Sequence, residues 1–226
     1  MGRISDNYKK LRESIKNDVK IVVATKTRSI NEIREVIEAG AEYIGENYVY
    51  PEATEKYEEL GDMSIKLKWH LIGNLQSNKI NKALRIFDLI QTVDSLETAI
   101  NIDKRVENAG KIFMPVLLEI NSGKEKTKTG FMPDIKKIKK ALVQMEELKN
   151  IEIRGLMTMG PITGDPKKAK KYFTQTRKIF EKLKDVTTIN SKMEILSMGM
   201  SNSYKVAIGE GSNMVRIGSL IFGERH

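Results

Sequence analysis

A chain of 226 residues suits one large domain or two small ones, and 40% hydrophobic with 31% charged residues excludes a disordered chain. Cysteine is absent, which removes disulfide scaffolds, thiolate nucleophiles and cysteine-ligated metals; His70 and His226 are the only histidines, too few for a multi-histidine metal site. The net charge of +9 points either to a lysine-rich solvated surface or to an anionic partner, nucleic acid or a phosphorylated small molecule.

The N-terminal residues Met1 to Asp6 lack the apolar stretch of a signal peptide, and no run reaches the roughly 18 apolar residues of a membrane span. A cytoplasmic protein is expected. In chain order, the first β-branched run is Lys20 to Ala24. Ser29 to Glu32 is a capping-box pattern, and the helix it opens carries Ile30, Ile33, Val36 and Ile37 on one face before Gly40 stops it. The second run is Ala41 to Gly45, the third Trp69 to Ile72 and the fourth Leu89 to Thr92. Asp94 is the expected cap of a helix bearing Leu96, Ile100 and Val106, stopped by Gly110. The fifth run, Met114 to Ile120, precedes a helix lined by Ile135, Ile138, Leu142 and Met145. The sixth is Ile151 to Met157; Asp165-Pro166 then opens a helix with the stripe Ala169, Phe173, Thr176, Phe180 and Leu183. The seventh is Glu194 to Ser197, a short helix follows Ser201, and the eighth is Met214 to Ile217.

Strands alternating with helices imply a parallel sheet, and eight such units favour a closed (β/α)8 TIM barrel, a single α/β domain over 1–226; an open doubly wound sheet is the alternative. Lysine pairs flank Ile138 (Lys136, Lys137, Lys139, Lys140) and Ala169 (Lys167, Lys168, Lys170, Lys171). Both groups fall on helices with an apolar opposite face and lack interleaved aromatics, so they are expected to be solvated faces and nucleic-acid binding is not expected.

A parallel barrel places its active site at the carboxyl ends of its strands. The polar residues there are Lys26, Glu46, Asn47, Asn74, Gln76, Asn121, Ser122, Thr158, Ser201, Asn202 and Ser219, with Arg216 inside the last strand. Only one is acidic, which argues against the paired carboxylates of glycosidase or two-metal chemistry. Gly199 to Ser203 before a short helix, and the small-residue turn Ile217-Gly218-Ser219, are either ordinary turns or an anion site built from helix-end amides and close backbone approach. At the barrel mouth near Arg216, Lys26 is either a solvated strand-end lysine or an amine placed to attack a carbonyl and form a Schiff base.

Six motifs occur in order: Val23 to Thr27, Tyr43 to Val49, Trp69 to Lys79, Gly155 to Met159, Leu196 to Ser201 and Gly211 to Gly223. Together they closely resemble the pyridoxal phosphate homeostasis protein family over about residues 4–225. The resemblance implies a barrel like the N-terminal domain of alanine racemase, with pyridoxal 5′-phosphate as cofactor. It matches Lys26 to the Schiff-base lysine, Ser201 to a phosphate-binding serine, Gly218 and Ser219 to the phosphate-binding turn, Arg216 to the arginine facing the pyridine nitrogen, and Asn47 to a pocket asparagine. Ser203 and Leu220 depart from the residues frequent in the family.

The function this implies is intracellular homeostasis of pyridoxal phosphate, held reversibly on Lys26 and passed to apo-enzymes, without robust catalysis. The alternative is a pyridoxal-phosphate enzyme such as an amino-acid racemase. Racemisation needs acid–base groups on both faces of the substrate, and the related racemases supply the second from a C-terminal domain for which this chain has no counterpart after Gly218.

Overall fold

The structure is a computed structural model that describes residues 2–125, 127–160, 165–186 and 188–224. Helix α1 (Arg3–Glu13) precedes β1 (Lys20–Ala24), α2 (Ile30–Glu38) and β2 (Tyr43–Glu46). A π-type turn at Val49–Ala53 leads into α3 (Thr54–Leu60) and α4 (Asp62–Ile65), then β3 (Lys68–Leu71), α5 (Ile80–Ile86), β4 (Leu89–Val93) and α6 (Leu96–Val106). The chain continues through β5 (Met114–Glu119), α7 (Ile135–Met145), β6 (Ile151–Thr158), α8 (Pro166–Lys184), β7 (Ser191–Met198), α9 (Tyr204–Gly209), β8 (Met214–Ile217) and α10 (Ser219–Phe222). The strands pair in parallel and in chain order, and β8 returns to β1, so the sheet closes into a barrel. The open-sheet alternative is thereby excluded.

Period-two alternation sorts the strand residues into two cores. Val23, Ile44, Trp69, Leu71, Ile90, Val116, Leu118, Leu156, Leu196, Val215 and Ile217 face the helices. Val22, Ile72, Leu89, Leu117, Met157 and Met214 fill the barrel interior. The seam between β7 and β8 has a single register pair, Ser197 with Met214. Side chains supplement it: Ser212 Oγ lies within 3.0 Å of the carbonyls of Leu196, Met198 and Met214 and donates its one hydrogen to one of them, and Asn213 Oδ1 accepts from the Leu196 N–H at 2.8 Å.

The capping box at Ser29 and Glu32 forms, and Asp134 and Asp165 cap α7 and α8. The cap of α6 is Ser95 rather than Asp94: Ser95 Oγ accepts from the Thr98 N–H at 3.1 Å, while Asp94 accepts the Ser95 and Thr98 hydroxyls. The buried face of α6 is Ala99, Ile102 and Val106, and Ile100 lies at its margin. Both lysine groups stand on exposed flanks of α7 and α8, around the buried Ile138 and Ala169. Among the described residues no helix is long and apolar enough to cross a membrane.

Candidate functional site

At the carboxyl ends of the strands a cleft of ≈ 450 Å³ is lined by Lys26, Asn47, Ser201, Arg216, Gly218 and Ser219, together with Ala24, Arg28, Ile72, Met159, Met200 and Asn202. All six residues singled out from sequence therefore meet in one place. Of the other strand-end polar residues, Asn202 joins them and the rest do not. Asn74 and Gln76 line a separate recess with Tyr48, Tyr50 and Lys79, and Asn121 and Ser122 line another beside Glu119.

Lys26 leaves the end of β1 in a tight turn closed by the Arg28 N–H to the Thr25 carbonyl at 2.9 Å. It is half-buried rather than enclosed. Its Nζ lies 3.4 Å from the Tyr48 hydroxyl and 4.8 Å from the centre of that ring. Asn47 is set by a close approach: a Cβ on Gly73 would fall 2.2 Å from the Asn47 carbonyl oxygen, so only glycine lets the loops after β2 and β3 touch. Glu46, the one acid of the strand-end set, is fully buried and turned away from the cleft lining, paired with Lys56 Nζ at 2.7 Å. Burial pushes its carboxyl above the usual range against the opposing pull of Lys56, and its Oε2 has no hydrogen-bond partner.

The opposite wall is an amide pair. The backbone N–H groups of Gly218 and Leu220 both point at Ser201 Oγ, at 3.3 and 3.4 Å. Converging amides of this kind form a concavity for an oxyanion. Of the two turns that the sequence offered for an anion, this pair belongs to the one at Ile217-Gly218-Ser219; the other relied on amides at the start of α9. Those of Ser203 and Tyr204 are instead consumed by the Met200 carbonyl, each at 2.8 Å, because the chain folds a tight turn there before the helix begins. Gly199 makes that turn with φ of +90°, and a Cβ there would sit 2.6 Å from Ala207 Cβ.

Arg216 forms the floor and is 4% exposed. One terminal nitrogen donates to the Ser197 carbonyl at 3.0 Å and to Ser197 Oγ at 2.6 Å; the other donates to the Thr158 carbonyl at 2.9 Å. Burial lowers its pKa to about 10, opposed by the carboxylate of Glu119. From Ser197 the chain of bonds runs on across the barrel. Ser197 Oγ donates to Gln91 Oε1 at 2.7 Å, and Gln91 Nε2 lies 3.0 Å from His70 Nδ1. The guanidinium only donates, so Ser197 accepts from it and passes its own proton to Gln91 Oε1. Gln91 then presents its amide hydrogens to His70, which must be the neutral tautomer with its proton on Nε2. Burial holds that imidazole down to a pKa of about 3, with Lys20 and Lys68 adding to the effect.

Sequence reasoning missed several members of these networks. Gln91 and Ser197 carried a readable signal: each is a polar residue at an inward position of an otherwise apolar strand. Arg28 follows Lys26 by two residues and lines the same cleft. Glu52 and Lys56 carried none, because they lie in the segment between β2 and β3 where no strand-end rule applies.

The family described as "Alanine racemase, N-terminal domain" matches residues 1–226. The curated "Pyridoxal phosphate homeostasis protein" of Aquifex aeolicus is 39% identical, covering 92% of this chain and 88% of that protein. The protein of the same name from Synechocystis is 34% identical, covering 96% of this chain and 97% of its own length. PipY of Synechococcus elongatus, solved with PLP bound, superposes with a TM-score of 0.87 at 32% identity, covering 97% of this chain and all of that one. An alanine racemase of Clostridium difficile shares the fold, with a TM-score of 0.76 at 19% identity over 99% of this chain and 56% of its own.

Proposed function

This chain belongs to the pyridoxal phosphate homeostasis protein family, built on the alanine racemase N-terminal domain, and on that premise we propose that it holds pyridoxal 5′-phosphate (PLP) reversibly on Lys26 and so buffers the intracellular cofactor. The observation that carries this reading is the cleft itself. It sets the Lys26 amine and the paired amides of Gly218 and Leu220 on one cavity with the Arg216 guanidinium at its floor.

The residues fit the group in each part. The converging amides and the Ser201 hydroxyl suit a phosphate dianion: the amides donate, and the hydroxyl they now hold can turn to donate as well. Ser219 and Arg28 flank that end of the cleft. Ile72, Met159 and Met200 offer apolar and thioether surface to an aromatic ring, and Asn47 borders it. Bound there, PLP supplies an aldehyde that a lysine amine can take up as a Schiff base with loss of water. Lys26 is the amine on that cavity, and Tyr48 places a hydroxyl beside it that can relay the proton.

Arg216 favours storage over catalysis. A fixed cation at the ring end disfavours a second positive charge on the pyridine nitrogen, and an unprotonated pyridine is a weak electron sink. A racemase needs, besides carbanion stabilisation, a second acid–base group on the opposite face of the substrate. Release to the lysine of an acceptor apo-enzyme reverses the uptake step.

The test is the visible spectrum of the purified protein with and without added PLP, followed by borohydride reduction and peptide mapping. A visible band that traps the cofactor on Lys26, and its loss in Lys26→Ala with residual phosphate-anchored binding, is the expected result. Absence of the band in excess PLP, or an unchanged band in Lys26→Ala, overturns the assignment.

A further inference from the structure

A buried ion network lies behind the turn that carries Lys26; it meets the cleft lining through that turn and through the backbone of Glu46, which precedes Asn47 and accepts the Ile72 N–H at 2.9 Å. Lys56, on α3, is 7% exposed. Its Nζ donates to the Thr25 carbonyl at 2.7 Å, to Glu46 Oε1 at 2.7 Å and to Glu52 Oε1 at 2.8 Å, which exhausts its three hydrogens. Glu52 Oε1 also accepts the backbone N–H of Thr27, and Glu46 Oε1 accepts the Thr25 hydroxyl. Lys26 is therefore the residue between two anchored neighbours, one held by its carbonyl and hydroxyl, the other by its amide.

The anchoring has something to resist. Thr27 has φ of +65°, a left-handed conformation that is unfavourable for a β-branched residue. A turn of the same length would relax if its amide were released, and the Cα–Cβ direction of Lys26 would turn with it. The network is also costly as mere stability. It buries one cation and one fully enclosed carboxylate, and leaves Glu46 Oε2 without a partner. Apolar side chains commonly fill such space at least as stably.

We propose that Lys56, acting through Thr25 and Glu52, is a positioning residue that aims the Lys26 amine into the cleft. The inference rests on the reading of Lys26 as the covalent attachment point. It predicts a split between two ligands. PLP needs the aimed amine; pyridoxine 5′-phosphate has the same ring and phosphate but no aldehyde, and needs only the amides, Ser201 and the cleft walls.

The experiment compares wild type, Lys56→Met, Glu52→Ala and Glu52→Gln. Borohydride-trappable PLP on Lys26 at subsaturating cofactor is measured beside the affinity for pyridoxine 5′-phosphate. Lys56→Met and Glu52→Ala are expected to lose covalent occupancy by about tenfold or more, since displacing a reacting group by an ångström costs on that scale. Their pyridoxine 5′-phosphate affinity stays within about twofold, because the amide pair is untouched. Glu52→Gln keeps an oxygen for the Thr27 N–H and is expected to recover most of the occupancy, which a purely structural loss would not do. Hydrogen exchange of the Thr27 amide in the cofactor-free chain is the second readout: protected in wild type and Glu52→Gln, faster by about tenfold in Glu52→Ala. If Lys56→Met fails to fold, the glutamate pair decides the matter alone. Unchanged trapping in folded Lys56→Met or Glu52→Ala, or a parallel loss of both ligands, overturns the positioning role while leaving Lys26 as the attachment point. A wild type that traps nothing on Lys26 overturns both.

Discussion

Protonating His70 should unfold the barrel from its interior. The imidazole is 4% exposed, and its Nδ1 faces the amide hydrogens of Gln91. A proton placed there meets two hydrogens and no acceptor, and Gln91 cannot turn over without losing the Ser197 hydroxyl. The folded imidazole therefore titrates at about 3, against 6.5 when free. The sign follows from proton linkage: the unfolded chain binds the proton and the native chain does not, so His70 weakens the fold as pH drops below 6.5. The loss is about 2 kcal/mol at pH 5 and approaches about 5 kcal/mol below pH 3. Glu46 and Glu119, whose carboxyls burial raises, act in the opposite direction, since their native forms take up protons more readily than their unfolded ones. They are common to wild type and His70→Gln, so the difference between the two proteins isolates the imidazole. Urea unfolding at pH 7 and pH 5 should show wild type losing about 2 kcal/mol more than His70→Gln over that interval. An equal loss in both proteins would refute the buried neutral tautomer and the hydrogen-bond direction derived from it.

Ser197→Ala removes the link between Arg216 and Gln91 and leaves Gln91 Oε1 without its donor; a destabilisation of about 1–3 kcal/mol is expected by urea unfolding, and none would mean water replaces the hydroxyl. Ser201→Ala should weaken pyridoxine 5′-phosphate binding about tenfold by calorimetry, with the melting temperature of the free protein unchanged within a few degrees; undiminished affinity would detach Ser201 from the phosphate end. Gly73→Ala drives a Cβ into the Asn47 carbonyl and should cost about 2 kcal/mol or more while lowering affinity for the same ligand, measured by unfolding and by titration; full stability would show that the loop after β2 yields freely.

The eight strands were legible because each is a short apolar run between turn residues, and the barrel followed from their number. Boundaries moved where one face is polar. β7 begins at Ser191, three residues before the readable core at Glu194, since its first half alternates between exposed and half-buried positions. Helices α1, α3, α4, α5 and α10 went unread: several are only one or two turns long, and tertiary packing rather than periodicity sustains them. The cleft was legible for a topological reason, because strand ends converge in a parallel barrel whatever their sequence. Which of the two candidate turns keeps its N–H groups turned toward the cleft was not. That depended on the Met200 carbonyl capturing the Ser203 and Tyr204 N–H groups, a choice made by the Gly199 turn and invisible in residue type.

The charge that matters at this cleft is local rather than net. The two lysine groups, eight of the 39 basic residues, stand on the outer flanks of α7 and α8, where salt screens them. Arg216 and Lys56 are instead buried beside the carboxyl ends of the strands, one inside the barrel and one outside it. Burying a cation is expensive, and each is fixed by at least three hydrogen bonds that offset the cost. The two differ in what surrounds them. Lys56 is neutralised by Glu46 and Glu52, so it exerts little field and serves to hold backbone. The terminal nitrogens of Arg216 are bonded to carbonyls and a hydroxyl, with no salt bridge to a carboxylate among the described residues, so its charge remains available to the cleft. On the reading proposed above, a guanidinium without a salt-bridge partner at the floor, its field reduced by the nearby Glu119, and paired amides on the wall select an anion by position, and the surface lysines need take no part in that choice.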